Sequence, residues 1–356
     1  MKTRITQMFG MEFPIVEAPM AWITDADLAA AVSEAGGLGT IGPNAGFKTV
    51  TTDVKETGDR LRQQIQRCRE LTDKPFAVNF VVGMIGWDRE YSERCVQVGI
   101  EEKVAVAVVS QGSPAVYTQK LKDAGMKVIH VCSTVRHVLK AEQSGADAAV
   151  VSGTEGGGHS GFDQITTMCL VPQAADAVKI PIIAGGGIVD ARGLVAALSL
   201  GAEGVYMGSR FMVTQECPTH PNVKQAVLHA TDTSTMAVQH GNRVRGSGQD
   251  EGKAGFVEAR RGSVRMLLND YMIRTMATQG GIDSYDDLPS SDDSGGTAES
   301  NRTVASFVNG DLENQSITTS QASGLIKDIP TCRELIERMM GEADGILARL
   351  NGMQRN

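Results

Sequence analysis

The chain has 356 residues, a formal net charge of −8 at pH 7, 40 glycines and only 4% aromatic residues. This length allows one large domain or two ordinary ones. The negative charge argues against nucleic acid or an anionic membrane as the main partner, and no apolar run approaches the ~18 residues that a membrane helix requires. Six dispersed cysteines without a C-x-x-C pair fit neither a zinc site nor a disulfide framework. We therefore expect no metal and a cytoplasmic protein with reduced thiols.

The first part of the chain alternates between short apolar runs and helical segments. Strands that are apolar on both faces imply a parallel sheet covered by helices, and eight such units are the number that closes a (β/α)₈ barrel, the TIM barrel. A doubly wound open sheet is the alternative, but its usual G-x-G-x-x-G does not follow the first strand. The eight predicted strands lie in residues 13–20, 38–42, 75–82, 104–109, 127–131, 148–151, 181–184 and 204–207.

The alternation ends at Phe211, and from there the composition changes. We predict that residues 1–211 form the TIM barrel, that residues 212–330 form a helical cap or lid over the barrel mouth, and that a helix in residues 331–356 returns to the barrel. Within the cap, residues 212–235 and 263–278 are predicted to be helical. The polar stretch 283–301 predicts a mobile loop.

Glycine-rich turns follow the sixth, seventh and eighth predicted strands, at the end of the barrel that carries the reactive groups. Loops after strands seven and eight are the usual phosphate cradle of this fold. The glycines there predict a phosphate site, or alternatively only tight turns. Arg210 could add charge to that site or form a structural ion pair. The turn residues are Gly157 and Gly158 after strand six, Gly185, Gly186 and Gly187 after strand seven, and Gly208 and Ser209 after strand eight.

Two polar side chains at the same end of the barrel are candidates for chemistry. Asn79 lies in an otherwise apolar strand, where it could bond a neighbouring strand or read a donor–acceptor edge such as that of a flavin. His159 ends the glycine run, and imidazole exchanges a proton near neutral pH; the alternative is a solvated histidine in a surface loop. His130, in strand five, is interpreted as structural. A further group could reach an anionic ligand from the cap: His240, Arg243 and Arg245.

Six stretches carry a family resemblance: Glu-Ala-Pro-Met-Ala-Trp at 17–22, Ala-Gly-Gly-Leu-Gly at 35–39, Lys-Pro-Phe-Ala-Val-Asn at 74–79, Gly-Gly-Gly-His-Ser-Gly at 156–161, Ile-Ala-Gly-Gly-Gly-Ile at 183–188 and Met-Gly-Ser-Arg-Phe at 207–211. Together they resemble the FMN-dependent nitronate monooxygenase family, formerly called 2-nitropropane dioxygenases. That family also holds the class II enoyl-ACP reductases and some NADH:quinone reductases. The resemblance covers roughly residues 1–230.

The resemblance implies a TIM barrel that binds FMN and oxidises alkyl nitronates with O₂. The alternative activity is NAD(P)H-dependent reduction of enoyl thioesters or quinones, and a phosphate-binding barrel without redox chemistry is a third interpretation. A small-molecule substrate is implied in the first two cases, and a homodimer is left open. By position, His159 falls on the family's active-site histidine. The implied cofactor-binding residues are Met20, Asn79, Gly112, Gly157, Gly158, Gly186, Gly187, Gly208 and Ser209.

The chain also departs from the family's common patterns. Many members have Gln-Gly-Gly-Met where this chain has Glu-Ala-Pro-Met at 17–20. Several monooxygenases carry a lysine where Val131 stands, and some members place an acid where Ser152 stands. Thr-Thr-Met at 166–168 is closer to the enoyl reductases. These departures concern the subtype of activity and leave the predicted fold unchanged.

Overall fold

A computed structural model describes residues 1–83, 86–239, 262–278, 288 and 298–353. Eight parallel strands form one sheet in the order β1-β9-β8-β6-β5-β4-β3-β2, and a parallel bridge between Val16 and Leu38 joins its two ends. The predicted TIM barrel is therefore confirmed as a nearly closed barrel. The strands are β1 (Ile15–Glu17), β2 (Gly39–Ile41), β3 (Phe76–Val81), β4 (Val106–Ser110), β5 (Lys127–Cys132), β6 (Ala148–Ser152), β7 (Gly158–Ser160), β8 (Ile182–Gly185), β9 (Gly204–Met207), β10 (Thr235–Gln239) and β11 (Ser263–Leu267).

Helices surround the barrel, and the short first helix covers its N-terminal end, where Ile5 and Phe9 pack with the interior residues Val16 and Ile183. The last helix packs Leu335 and Ile336 into the outer layer. The helices are α1 (Arg4–Phe9), α2 (Ala26–Glu34), α3 (Val54–Leu71), α4 (Gly86–Glu101), α5 (Thr118–Asp123), α6 (Val135–Gln143), α7 (Thr167–Ala177), α8 (Ala191–Ser199), α9 (Ser209–Met212), α10 (Pro221–Leu228), α11 (Asp270–Thr278), α12 (Ala298–Thr303) and α13 (Cys332–Asn351).

Strand alternation decides which side chains reach the barrel interior. On β3, Val78 and Phe80 pack outward in a cluster with residues of α3 and α4, whereas Ala77 belongs to the cluster inside the barrel. Successive side chains of a strand point to opposite faces, so Asn79 shares the inward face with Ala77 but lies nearer the C-terminal end of the strand. Asn79 is the one polar residue of β3, and strand alternation places its amide at the barrel mouth.

The cap contains strands as well as helices. The predicted helix over residues 263–278 is wrong in its first part, because β11 pairs antiparallel with both β10 and β7, and only Asp270–Thr278 is helical. All five residues of β11 are buried, and pairing on both edges outweighs the local helical pattern. In residues 212–235, the helical segment is α10, which begins at Pro221.

Part of the predicted loop at 283–301 is also different, because residues 298–301 belong to α12. A π-helical turn, Val304–Val308, follows α12 directly, and a 3₁₀ turn, Gln321–Leu325, precedes α13. Residues 283–287 and 289–297 lie outside the described residues, as do His240, Arg243 and Arg245. The boundaries proposed at 211 and 330 stay predictions.

All six cysteines are free thiols. In the described parts of the chain, no group of three or more metal-ligating side chains occurs. No helix there is both long and apolar enough to cross a membrane.

Candidate active site at the barrel mouth

A cavity of about 380 Å³ opens at the C-terminal ends of β2, β3 and β4. Its wall is formed by the turns after β1, β2 and β4 together with α3 and α4, and Glu299, Ser300 and Thr303 of α12 line it from the cap. A volume of this size is typical of small-molecule sites. The cavity therefore lies where the sequence predicts the reactive end of the barrel.

Backbone strain is concentrated around this cavity. Trp22, Asn44 and Gln111 have left-handed backbone conformations, with φ of 73°, 53° and 60°, and all three line the cavity. The φ of Trp22 is held in part by the hydrogen bond from its N–H to the Pro43 carbonyl at 2.9 Å. Positive φ costs a bulky residue roughly 1–3 kcal/mol and clusters at ligand sites. The strain thus supports this cavity as the functional site.

Asn79 joins the barrel interior to the cavity. Its side chain is 6% exposed and lines the cavity. Its Nδ2 donates to the Val108 carbonyl at 2.9 Å and to Ser110 Oγ at 3.0 Å. The first alternative raised by the sequence therefore applies, because the amide bonds the neighbouring strand β4. Asn79 also lines the cavity, and its contact with a ligand stays a prediction. The two bonds use both N–H donors of the amide and fix its rotamer, so Oδ1 is the atom that is left to accept a hydrogen bond from a ligand.

The turns after β8 and β9 lie side by side, because these strands are paired through Gly185 and Tyr206. Gly186 and Gly187 have φ of 93° and 72°, and Gly208 is half-buried. The backbone N–H groups of these three glycines donate to no acceptor among the described residues. Neighbouring N–H groups of this kind form anion sites, so the turns fit a phosphate group, as the sequence analysis predicts.

The other predicted site residues lie on the same rim but do not line the cavity. Met20 connects the two regions, since its neighbour Ala21 lines the cavity while its sulfur would lie 3.5 Å from a Cβ added at Gly208. Gly112 has φ of 54° in the turn after β4, where a Cβ would lie 2.6 Å from a methyl of Val82. These contacts bring the predicted turns together at one end of the barrel, while their roles stay predictions.

Glu155, which the sequence analysis did not single out, organises the glycine stretch. Both of its carboxylate oxygens accept the Thr167 N–H at 3.0 Å, at the N-terminus of α7, where negative charge is favoured. Its carbonyl accepts the Ser320 hydroxyl at 2.8 Å, and the Ser320 N–H donates to Ser209 Oγ at 2.9 Å. Ser209, predicted to bind phosphate, therefore already accepts one hydrogen bond and keeps its own hydrogen for another acceptor.

Because Gly157 has no side chain, the segment around Thr319 and Ser320 can approach the glycine stretch closely. A Cβ at Gly157 would lie 2.6 Å from the Thr319 carbonyl carbon, closer than real contacts allow. Gly158 has φ of 78°, which favours glycine. The three consecutive glycines thus let the chain before α13 close over the turn after β6.

His159 lies in β7, not in a loop, and its main chain pairs with Val264 of β11. Its side chain is 39% exposed, and Nε2 lies 3.6 Å from Oε1 of Glu299, a residue that lines the cavity. The imidazole is therefore at the edge of the cavity. Glu299 could not be found from the sequence, because it lies in a polar stretch without periodicity and its partner is 140 residues away.

Arg210 forms a structural ion pair, the second of the two alternatives that the sequence left open. Its side chain is 3% exposed, forms an ion pair with Asp328 at 3.1 Å, and donates to the carbonyl oxygens of Val213 and Asp328 at 2.8 Å. It ties the turn after β9 to the chain before α13. These contacts engage both terminal nitrogens of the guanidinium, whereas its buried Nε has no partner among the described residues.

Burial determines the charge of two groups near the site. Desolvation raises the pKa of the Cys95 thiol, which lines the cavity, to about 12, so Cys95 is not a thiolate nucleophile at neutral pH. Glu17 is fully buried; one of its oxygens accepts the Thr40 N–H at 3.0 Å and the other has no partner. Desolvation raises the pKa of this carboxyl well above its usual value.

Comparisons with known proteins identify a matching family model, similar proteins and similar solved structures. A family model described as nitronate monooxygenase matches residues 2–342. An indene-carboxyl-CoA dehydrogenase of Rhodococcus jostii is 30% identical over 355 residues, which cover 96% of each chain. A probable nitronate monooxygenase of Staphylococcus saprophyticus is 35% identical over 276 residues, covering 66% of this chain and 75% of that protein. The solved structure of FabK from Thermotoga maritima has a TM-score of 0.81 and 33% identity, and the match covers 99% of this chain and 100% of that one.

Proposed function

This chain belongs to the nitronate monooxygenase family, whose members are flavin-dependent oxidoreductases that act on small molecules, and from that premise we propose that it binds FMN and oxidises alkyl nitronates with O₂. The observation that carries the proposal is the pair of adjacent turns at Gly186, Gly187 and Gly208, whose N–H groups have no acceptor among the described residues, at the same end of the barrel as the cavity that Asn79 lines. This arrangement supports a phosphate at one side of the barrel mouth and a flat ring across it.

Each residue has a defined task in this proposal. The N–H groups of Gly187 and Gly208 bind the phosphate, and the fixed amide of Asn79 orients the ring. Bound FMN supplies an electron acceptor that O₂ can reoxidise. His159 orients the anionic nitronate, or takes the proton from the α-carbon of the parent nitroalkane. The nitronate needs no further deprotonation, which is consistent with a site where, among the described residues, His159 lies at the cavity edge.

A first experiment tests the cofactor and the reaction together. The purified protein, supplied with FMN, should show the flavin band near ~450 nm and consume O₂ when an alkyl nitronate is added. Anaerobic mixing with NAD(P)H should leave the band almost unchanged. A protein that stays colourless contradicts the flavin site, whereas rapid bleaching by NAD(P)H contradicts the monooxygenase assignment.

A second experiment tests the role of His159. His159→Ala should retain FMN, because the imidazole is not part of the phosphate turns, but kcat should fall by ~10²-fold or more if it transfers or holds a proton. His229→Asn is the matched control, since His229 is exposed at the end of α10. Normal turnover in His159→Ala contradicts the assignment.

A second function is favoured by a specific observation. The Rhodococcus jostii relative, named as a carboxyl-CoA dehydrogenase, matches along 96% of both chains, whereas the Staphylococcus saprophyticus protein matches 66% of this one. The cap is thus matched by a protein whose named substrate is a CoA thioester. We infer NAD(P)H-linked oxidoreduction of an acyl thioester as the second candidate. Turnover of an enoyl thioester with NAD(P)H, without O₂ uptake from nitronates, would select it over the first.

Two further proposals concern the protein's surroundings. A cytoplasmic location fits the six free cysteines, and cell fractionation tests it. A homodimer is proposed from the sequence analysis alone, and light scattering coupled to size-exclusion chromatography tests it.

A further inference from the structure

The cavity at the barrel mouth extends past the positions predicted for the cofactor. The turn after β8 and Asn79 on β3 face each other, because β8 and β3 are four places apart in the ring of eight strands. The helices α3 and α4 pack on the outer side of β3, and both line the cavity. A cofactor bound between that turn and Asn79 would leave the part of the cavity along α3 and α4 for another ligand.

Much of the cavity wall is apolar. The aliphatic side chains of Val50, Leu61 and Val82 line it, and Val82 is buried. Cys95 of α4 also lines it, and desolvation raises the pKa of its thiol to about 12. A neutral thiol behaves as a small hydrophobic group. This lining suits an uncharged carbon chain.

The charged side chain that α3 places at the cavity is already engaged. The guanidinium of Arg60 is 10% exposed and pairs with Glu56 at 2.6 Å. It also donates to the carbonyl and the hydroxyl of Thr49, at 2.5 and 3.1 Å. The Tyr91 hydroxyl of α4 donates to the Thr51 carbonyl at 2.7 Å. The side chains with which α3 lines the cavity therefore offer no free charge to an anionic ligand.

Gln64 of α3 also lines the cavity, and its amide is bonded at one end only. Its Oε1 accepts the N–H of Ala26, the first residue of α2, at 2.9 Å. Because that partner is a donor, the atom facing it is the oxygen, and Nε2 donates to no acceptor among the described residues. A Cβ added at Gly46 would lie 2.5 Å from Nε2, so the turn after β2 packs against the amide and limits its rotamers. Gln64 thus provides a fixed donor without an acceptor.

We propose that the part of the cavity along α3 and α4 binds the chain of the substrate, and that Gln64 Nε2 donates a hydrogen bond to a carbonyl oxygen on that chain. The inference rests on the proposed function and deepens it, because it names the kind of substrate that the site selects. The amides of Asn44 and Gln111 line the cavity too, but no hydrogen bond among the described residues orients them. A site that donates a hydrogen bond to its substrate discriminates against an analogue without the acceptor.

The test measures the binding of unreactive analogues and is independent of turnover. Alkyl carboxylates share the planar, two-oxygen anionic head of a nitronate. Isothermal titration calorimetry on the protein supplied with FMN compares heptanoate with its 4-oxo, 5-oxo and 6-oxo derivatives. A ketone oxygen accepts a hydrogen bond but cannot donate one. The derivative whose carbonyl reaches Gln64 should bind about three- to tenfold more tightly than heptanoate.

Two substitutions at one position separate recognition from structure. Gln64→Glu keeps an oxygen for the Ala26 N–H, at a helix N-terminus where negative charge is favourable, but it removes the N–H donors. It should keep the melting temperature and abolish the preference for the oxo derivative. Gln64→Met adds no charge and should also abolish the preference. Gln63→Glu is the matched control, because it makes the same change at an exposed position of the same helix, and it should keep the wild-type preference.

The possible outcomes distinguish this inference from the proposed function. Equal affinities for heptanoate and all three oxo derivatives would overturn the inference, and so would the absence of binding by the whole series. A preference that survives in both Gln64 variants, or that is lost equally in Gln63→Glu, would overturn it as well. The proposed function is decided separately in the same preparation, by the flavin band near ~450 nm and by O₂ uptake with a nitronate.

Discussion

Replacing His130 with asparagine should make the protein more resistant to acid. The His130 side chain is 2% exposed on β5, and its Nε2 has no hydrogen-bond partner among the described residues. Nδ1 lies 3.1 Å from the Val131 carbonyl oxygen. Desolvation, with a smaller contribution from nearby His137, lowers the pKa of His130 from 6.5 to about 4. The folded protein therefore keeps this ring neutral in mildly acidic solution.

The sign and size of the effect follow from this difference in pKa. Below pH 6.5 the unfolded chain takes up a proton that the folded protein does not bind until about pH 4. Stability is thus fully present above pH 6.5 and is lost as the pH falls from 6.5 to about 4. The gap corresponds to about 3 kcal/mol, which is a large part of the ~5–15 kcal/mol that stabilises a typical domain.

The assay is denaturant unfolding followed by circular dichroism at several pH values between 7.5 and 4.5. His130→Asn keeps a donor near the Nδ1 position, but it leaves a smaller side chain and therefore lowers stability by a constant amount at every pH. The informative quantity is the difference in unfolding free energy between wild type and variant as a function of pH. That difference should change in favour of the variant by about 2–3 kcal/mol over this range.

Two controls define the refutation. His229→Asn removes an exposed histidine and should follow the wild-type pH dependence. His130→Phe removes the titrating group with a ring of similar shape and should share the flatter dependence of His130→Asn. If both His130 variants lose stability in parallel with the wild type, the neutral buried imidazole is not a source of acid sensitivity.

Two other substitutions test the buried carboxyl and the phosphate turns. Burial raises the pKa of Glu17 in the folded protein, so the stability of the wild type falls as the pH rises above 4.5. Glu17→Gln should therefore melt at a higher temperature than wild type at pH 7.5 but not at pH 4. Equal melting temperatures at pH 7.5 would count against a neutral Glu17. Gly187 has φ of 72° and a Cβ there would lie 3.2 Å from the Cβ of Glu155, so Gly187→Val should weaken FMN binding at least ~10-fold. Fluorescence titration measures this, Gly345→Ala in open space on α13 is the control, and an unchanged Kd would remove the phosphate site.

The barrel was predictable because its signals are local. β3 is apolar on both faces over Phe76–Val81, and α13 has Thr331 and Glu334 in a capping box at its start. Strand length, helix caps and glycine stops are all encoded within a few residues. Eight such units in succession leave few architectures open, so the sequence was sufficient to predict the barrel.

The site was only partly predictable, because its remaining parts depend on distant partners. β11 follows a locally helical pattern, yet it becomes a strand between β7 and β10. Arg210 had two interpretations until Asp328, 118 residues away, was seen to pair with it. Glu299 and Ser320 have no periodic context, and their relation to His159 and Ser209 exists only after the cap folds. Long-range contacts of this kind leave no trace in composition or spacing.

The pairing of β7 with β11 determines when, during translation, the segment that bears His159 can complete its sheet. All eight barrel strands have been synthesised once residue 207 is made, whereas β11 and Glu299 follow later. Domains fold as units while synthesis continues, so a nascent ring can close while the segment bearing His159 still has no neighbouring strand. The proposed role of His159 therefore requires the last third of the chain, which contains β11.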